Sequence, residues 1–115
     1  MLWYSNAAID YAIARCIEKP GYKVVIAYGR DKEEQDAFYE KLQFEETISR
    51  IRCAGGNIDV TFNNGSKIDW VSPTENSRGH RAHLVIMRYD VPDETIRCVF
   101  EPMEILEWME RKSFY

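Results

Sequence analysis

The run Tyr22-Lys-Val-Val-Ile-Ala-Tyr28 restricts the fold more than any other part of the sequence. It is short, β-branched and almost continuously apolar, without the alternation that would let one face meet water, so it reads as a strand covered on both faces. Such strands lie in the middle of parallel sheets flanked by helices. The neighbouring segments agree. Upstream, Ser5 and Asn6 are good N-caps, and Ala7, Ala8, Ile9, Tyr11, Ala12, Ile13, Ala14 and Ile17 give a helix with a broad apolar face that should end before Pro20-Gly21. Downstream, Gly29-Arg30 turns the chain. Asp31 with Glu34 then makes a start similar to a capping box for a helix carrying Ala37, Phe38 and Leu42 at core spacing.

Beyond Phe44 the hydrophobic period changes from helix to strand. Ile48, Ile51 and Cys53 suggest a short strand, and after Gly55-Gly56 the alternation of Ile58, Val60 and Phe62 suggests another. Asn63-Asn64-Gly65-Ser66 is a strong hairpin turn, because Asn and Gly tolerate positive φ, and Ile68 with Trp70 continues the alternation on the return strand. Ser72 to Arg81 reads as a polar loop where function would sit, and His83 to Arg88 as a second buried strand. Asp93 and Glu94 favour a last helix, with Pro102 interrupting it and Ile105, Leu106 and Met109 on one side. The expected fold is a single α/β domain over residues 1–115, three-layer-like, with a short, mostly parallel sheet, flanking helices and an inserted β-hairpin.

Composition narrows the class. At 115 residues, 45% hydrophobic and 30% charged, the chain suits one globular domain that holds a core without metal or disulfide staples. No apolar run approaches the ~20 residues that span a bilayer, so no membrane role is expected. The opening Met1-Leu-Trp-Tyr-Ser-Asn lacks the basic and apolar regions of a secretory leader, and the odd, scattered cysteines Cys16, Cys53 and Cys98 fit reduced thiols at small core positions. Both point to the cytoplasm.

The net charge of -4 is unevenly spread. From Asn76 to Tyr89 there is no acid, while Arg78, Arg81 and Arg88 stand beside His80 and His83; from Asp90 to Glu110 acids outnumber Arg97 seven to one. Two solvated faces would explain this. A basic anion-binding loop formed by Arg30, Arg78, Arg81 and Arg88, next to an acidic helix, is the sharper reading.

The order of helix, Pro-Gly-Tyr-Lys-Val-Val-Ile-Ala, helix, hairpin with Phe-Asn-Asn-Gly-Ser-Lys-Ile, Asn-Ser-Arg-Gly-His, then Leu-Val-Ile-Met resembles the ATPase domain of phage large terminases and related P-loop helicase-like motors. In that family an Asn-Gly-Ser-(Arg/Lys)-Ile hairpin precedes an Arg-Gly loop and the apolar strand of the Walker B motif. The similarity covers about residues 5 to 105. Two departures stand out. The phosphate-cradling run G-x-x-x-x-G-K-[S/T], expected around Tyr4 to Asn6, does not occur in the chain, and Arg88-Tyr89 follows Leu84-Val-Ile-Met87 where the family has Asp-Glu to hold Mg²⁺ and activate water. Asp90 or the Asp93-Glu94 pair would need a shifted backbone to substitute. The resemblance thus implies a truncated relative of phage or prophage origin, cytoplasmic in the host, without ATP hydrolysis and without cofactor.

Other chemistry is weaker. His80-Arg-Ala-His83 has ligand-like spacing for zinc, yet no Cys, Asp or Glu lies in that loop to complete a tetrahedral site. No signature surrounds any cysteine to make it a nucleophile, and Asn64-Gly65-Ser66 matches a glycosylation sequon whose turn role suffices, leaving Ser66 as a turn residue. Trp3, Tyr4, Trp70, Tyr89, Trp108, Phe114 and Tyr115 could stack nucleic-acid bases, but core packing explains most of them.

The leading expectation is a non-catalytic interaction module that binds a protein partner, such as a DNA-packaging motor or a host protein it modulates. A nucleic-acid-binding accessory protein using Arg30, Arg50, Arg52, Arg78, Arg81 and Arg88 is the alternative, against which the acidic pI of about 5.2 counts. A small enzyme with an unrecognised site is the third class. Exposed sheet edges also make a homodimer an expectation.

Overall fold

The computed structural model describes residues 2–3, 7–29, 31–72, 81–87, 94 and 97. Along the chain run β1 (Leu2–Trp3), α1 (Ala7–Glu18), β2 (Lys23–Ala27), α2 (Lys32–Leu42), β3 (Ile48–Ala54), β4 (Asn57–Phe62), β5 (Lys67–Trp70) and β6 (Leu84–Met87). They form one sheet in the order β1-β6-β2-β5-β4-β3. β2 is central, with parallel neighbours on both sides: Val24 pairs with Ile68 of β5 and with Leu84 of β6. β1 is also parallel to β6, whereas β4 is antiparallel to both β5 and β3. The sheet is therefore mixed. The return strand of the expected inserted hairpin is itself the parallel neighbour of the central strand.

Alternate residues of the strands face α1 and α2 and build the main core. Val24, Ile26, Ile58, Val60, Phe62, Ile68, Trp70, Leu84 and Ile86 meet Ala8, Ile9, Ala12, Ile13 and Cys16 of α1 and Phe38 and Leu42 of α2. The opposite face of the central strands carries Val25, Ala27, Val85 and Met87, which are also buried and cluster with Val71 and Ala82. This explains why β2 shows no alternation. Both described helices lie on one face, so the described residues form two layers; the third layer expected from the last helix, Asp93 to Glu110, lies outside them except for Glu94 and Arg97, and the expected loop lies outside them over residues 73–80.

The helix faces are narrower than their composition predicts. Ala14 and Ile17 are exposed, and Cys16 takes the core position, because the α1 stripe runs through residues 8, 9, 12, 13 and 16. In α2 the i, i+4 pair Phe38 and Leu42 is buried and Ala37 is exposed, a correction to the expected core spacing. The Asp31 cap forms as expected, its Oδ1 accepting from the Glu34 N–H at 3.3 Å.

The Asn63–Ser66 turn reaches further than its own hairpin. Asn64 Nδ2 donates to the Cys16 carbonyl at 2.7 Å and to the Ile17 carbonyl at 3.3 Å, capping α1 from a distant segment. Ser66, fully buried, donates to the Lys19 carbonyl at 2.7 Å and accepts from the Tyr22 N–H at 3.0 Å. Ser66 is thus a buried clamp on the α1–β2 connection and more than a turn residue, because it satisfies a buried N–H and a part-buried carbonyl of that connection.

Candidate functional site

The carboxyl ends of β2 and β5 are fixed around one carbonyl. Trp70 Nε1 donates to the Gly29 oxygen at 2.7 Å and Gln35 Nε2 donates to it at 3.1 Å, while the Gly29 N–H donates to the Val71 carbonyl at 3.0 Å. Gln35 also reaches the Gly56 carbonyl at 2.9 Å, tying this end of β2 to the β3–β4 turn. Gly29 has φ 69°, which glycine adopts without strain. Arg30 follows it directly and Arg88 follows Met87, but Arg30, Arg78 and Arg88 themselves lie outside the described residues.

Arg81 stands elsewhere. It precedes β6 at the amino-terminal end of the parallel strands, the edge opposite Gly29 and Met87, and is exposed. The His83 N–H next to it donates to the Lys23 carbonyl at 2.8 Å, and His83 Nδ1 accepts from the Lys23 N–H at 3.1 Å. That bond puts the proton of the neutral ring on Nε2. His83 also stacks on Tyr22, centroids 5.0 Å apart, and Arg15 and Lys19 lie over the same ring at 5.5 and 5.8 Å. His80, the other half of the ligand-like pair, lies outside the described residues. Among the described residues no group of three His, Cys, Asp or Glu is placed to hold a metal ion, and no helix is long and apolar enough to cross a membrane.

From this corner a row of cations crosses the face of the sheet away from the helices. Lys23 pairs with Lys67, Lys67 with Thr61, and Thr61 with Arg50. The next row on the same face holds Asp69, Asp59 and Arg52. From His83 to Arg50 is four strand spacings, about 19 Å.

The third surface is β3 itself, the last strand of the sheet among the described residues. Six of its seven residues are exposed, with Ile48 half-buried. Its cross-strand pairing sorts its side chains: Arg50 and Arg52 oppose Thr61 and Asp59 on the open face, while Ile51 and Cys53 oppose the buried Val60 and Ile58 on the α2 side. On that side an open cleft of about 380 Å³ is lined by Asp36, Tyr39, Glu40, Leu42, Gln43 and Ile51. The Tyr39 hydroxyl contacts Cys53 Sγ; partial burial first, and then this contact, push the Tyr39 hydroxyl up to about 12. Cys53 is exposed, contrary to the expected core position, because among the described residues no further strand covers the edge it sits on. Cys16 is buried, as expected, and burial pushes its thiol up to about 12; Cys98 lies outside the described residues.

The β3 edge carries a sequence signal of its own: Arg50-Ile51-Arg52 puts two charges around one aliphatic, a pattern typical of sheet edges. Comparison with known protein families, with curated proteins and with solved structures finds no match to this chain.

Proposed function

We propose that the chain is a non-catalytic interaction module that binds a protein partner through the free edge of β3. The observation that supports this reading most is a seven-residue outer strand with a 42% exposed Ile51 beside an open cleft. A strand edge of this kind presents unpaired backbone groups that an extended segment of another chain can join. The phage or prophage origin in this reading rests on the terminase-type resemblance of the sequence alone, in which Arg88 would stand where that family has its magnesium-binding acid.

A photo-cross-linking amino acid at Ile51, expressed in cells that carry the gene, tests the reading. A discrete protein adduct is expected from position 51 and none from Lys32 at the exposed start of α2, and the purified partner should bind the wild-type chain directly. No adduct at 51, or equal adducts at both positions, overturns it.

The row Lys23, Lys67 and Arg50 favours a second reading, nucleic-acid binding across the open face of the sheet. Lys67→Ala with Arg50→Ala should then weaken a salt-sensitive gel shift of single-stranded nucleic acid. Absence of any shift at low salt removes this reading.

A further inference from the structure

We propose that the β3 edge recognises an extended partner segment in which acidic residues flank a lysine or arginine, laid antiparallel to β3. This rests on the interaction-module reading above and names the chemistry of its partner.

The backbone sets the pairing. Gly55 and Gly56 have φ 60° and 85°, positive at both central positions as in a type I′ turn, whose closing bond joins the Ala54 carbonyl to the Asn57 N–H. Counting back along the antiparallel ladder, the pairs Ala54–Asn57, Arg52–Asp59 and Arg50–Thr61 exchange hydrogen bonds with β4, and Ile51 and Cys53 direct N–H and C=O away from it. A partner residue opposite Ile51 therefore takes two backbone hydrogen bonds, and its side chain enters the α2 side.

The side chains set the charge pattern. Around that position the cleft offers the carboxylates of Asp36 and Glu40 and the apolar surfaces of Leu42, Tyr39 and Ile51, which suit the aliphatic stem and cationic head of lysine or arginine. The two flanking partner residues fall on the open face, opposite Arg50 and Arg52. Neither arginine makes an ion pair among the described residues, so both are available to acids there. A second copy of this chain fits worse. Antiparallel pairing of β3 with itself about Ile51 places Arg50 against Arg52 twice on one face, and like charges directly opposite are destabilising.

The test uses the full chain and fluorescently labelled peptides, read by anisotropy at low salt. Val-Glu-Lys-Glu-Val should bind about tenfold tighter than the charge-exchanged Val-Lys-Glu-Lys-Val, as expected for two or three favourable cross-strand pairs. Methylating the lysine backbone nitrogen should abolish binding, and Arg52→Glu should weaken the first peptide and strengthen the second, with an unchanged circular dichroism spectrum. Equal affinities, no binding of the first peptide, or indifference to N-methylation overturns the proposal. If this happens while the Ile51 adduct persists, the charge pattern is wrong and the interaction-module reading stands; if the adduct is absent too, both fall.

Discussion

Asn64 caps the helix that contains Cys16, donating its amide to the Cys16 carbonyl at 2.7 Å across 48 residues of sequence. The hairpin turn, which local propensity alone would produce, thus also terminates α1 and holds it against the start of β2.

Removing that amide should cost stability without changing the fold. Asn64→Ala should lower the unfolding free energy by about 1–2 kcal/mol. Asn64→Asp should cost more, because a carboxylate facing the carbonyl end of a helix is repelled by it. Urea denaturation measures both, and an Asp variant as stable as the wild type would contradict the capping role.

Ser66→Ala should cost about 1–3 kcal/mol, since it takes this partner from the buried Tyr22 N–H and from the part-buried Lys19 carbonyl. The same denaturation series tests it; a loss below a few tenths of a kcal/mol would show that the buried hydroxyl is dispensable.

Trp70 and Gln35 share the Gly29 oxygen and should be coupled. Trp70→Phe keeps most of the ring volume and removes one donor, for about 1–2 kcal/mol. With Gln35→Ala the carbonyl loses both, so the double variant should lose at least ~0.5 kcal/mol more than the two single losses added. A double-mutant cycle by chemical denaturation measures the excess, and strict additivity would uncouple the pair.

Cys16 makes stability depend on alkaline pH. Its folded pKa is raised from 9.0 to about 12, so the unfolded chain loses the thiol proton first; the stabilisation is complete below pH 9 and disappears as pH rises towards 12. The full window corresponds to about 4 kcal/mol. Comparing wild type with Cys16→Ala from pH 7 to 11 isolates this contribution, and parallel stability profiles would refute it.

The two described thiols should differ in reactivity. In a Cys98→Ser background, a disulfide reagent should label Cys53 rapidly in the native protein and reach Cys16 only on unfolding, because one is exposed and the other buried. Rapid labelling of both would show that α1 opens readily.

Local signals were readable wherever one segment decides its own structure. The unbroken run Tyr22–Tyr28, the Asp31 cap and the Asn63–Ser66 turn each depend on neighbours within a few residues, and each forms where the residues predict it. What depends on distant partners was not readable. Ala37 and Cys53 are apolar enough for a core, yet one misses the α2 stripe and the other sits on the outermost strand, which follows from the sheet order and not from their neighbours. The same holds for Ser66, whose partners are the Lys19 carbonyl and the Tyr22 N–H across the α1–β2 connection. Of the candidate basic site, Arg81 lies at the amino-terminal edge, and no periodicity in Asn76 to Tyr89 distinguishes one end of a strand from the other.

The central place of β2 has a consequence during synthesis. Both strands that flank it come later in the chain, and Val24 waits for Leu84, sixty residues on. At ~5–20 residues per second, this central, largely apolar strand leaves the ribosome about 3–12 s before its second neighbour exists. In that interval α1, α2 and the β3-β4-β5 meander are the described elements that can shelter it, so the nascent chain depends on early pairing with β5 to keep β2 from joining strands of other chains.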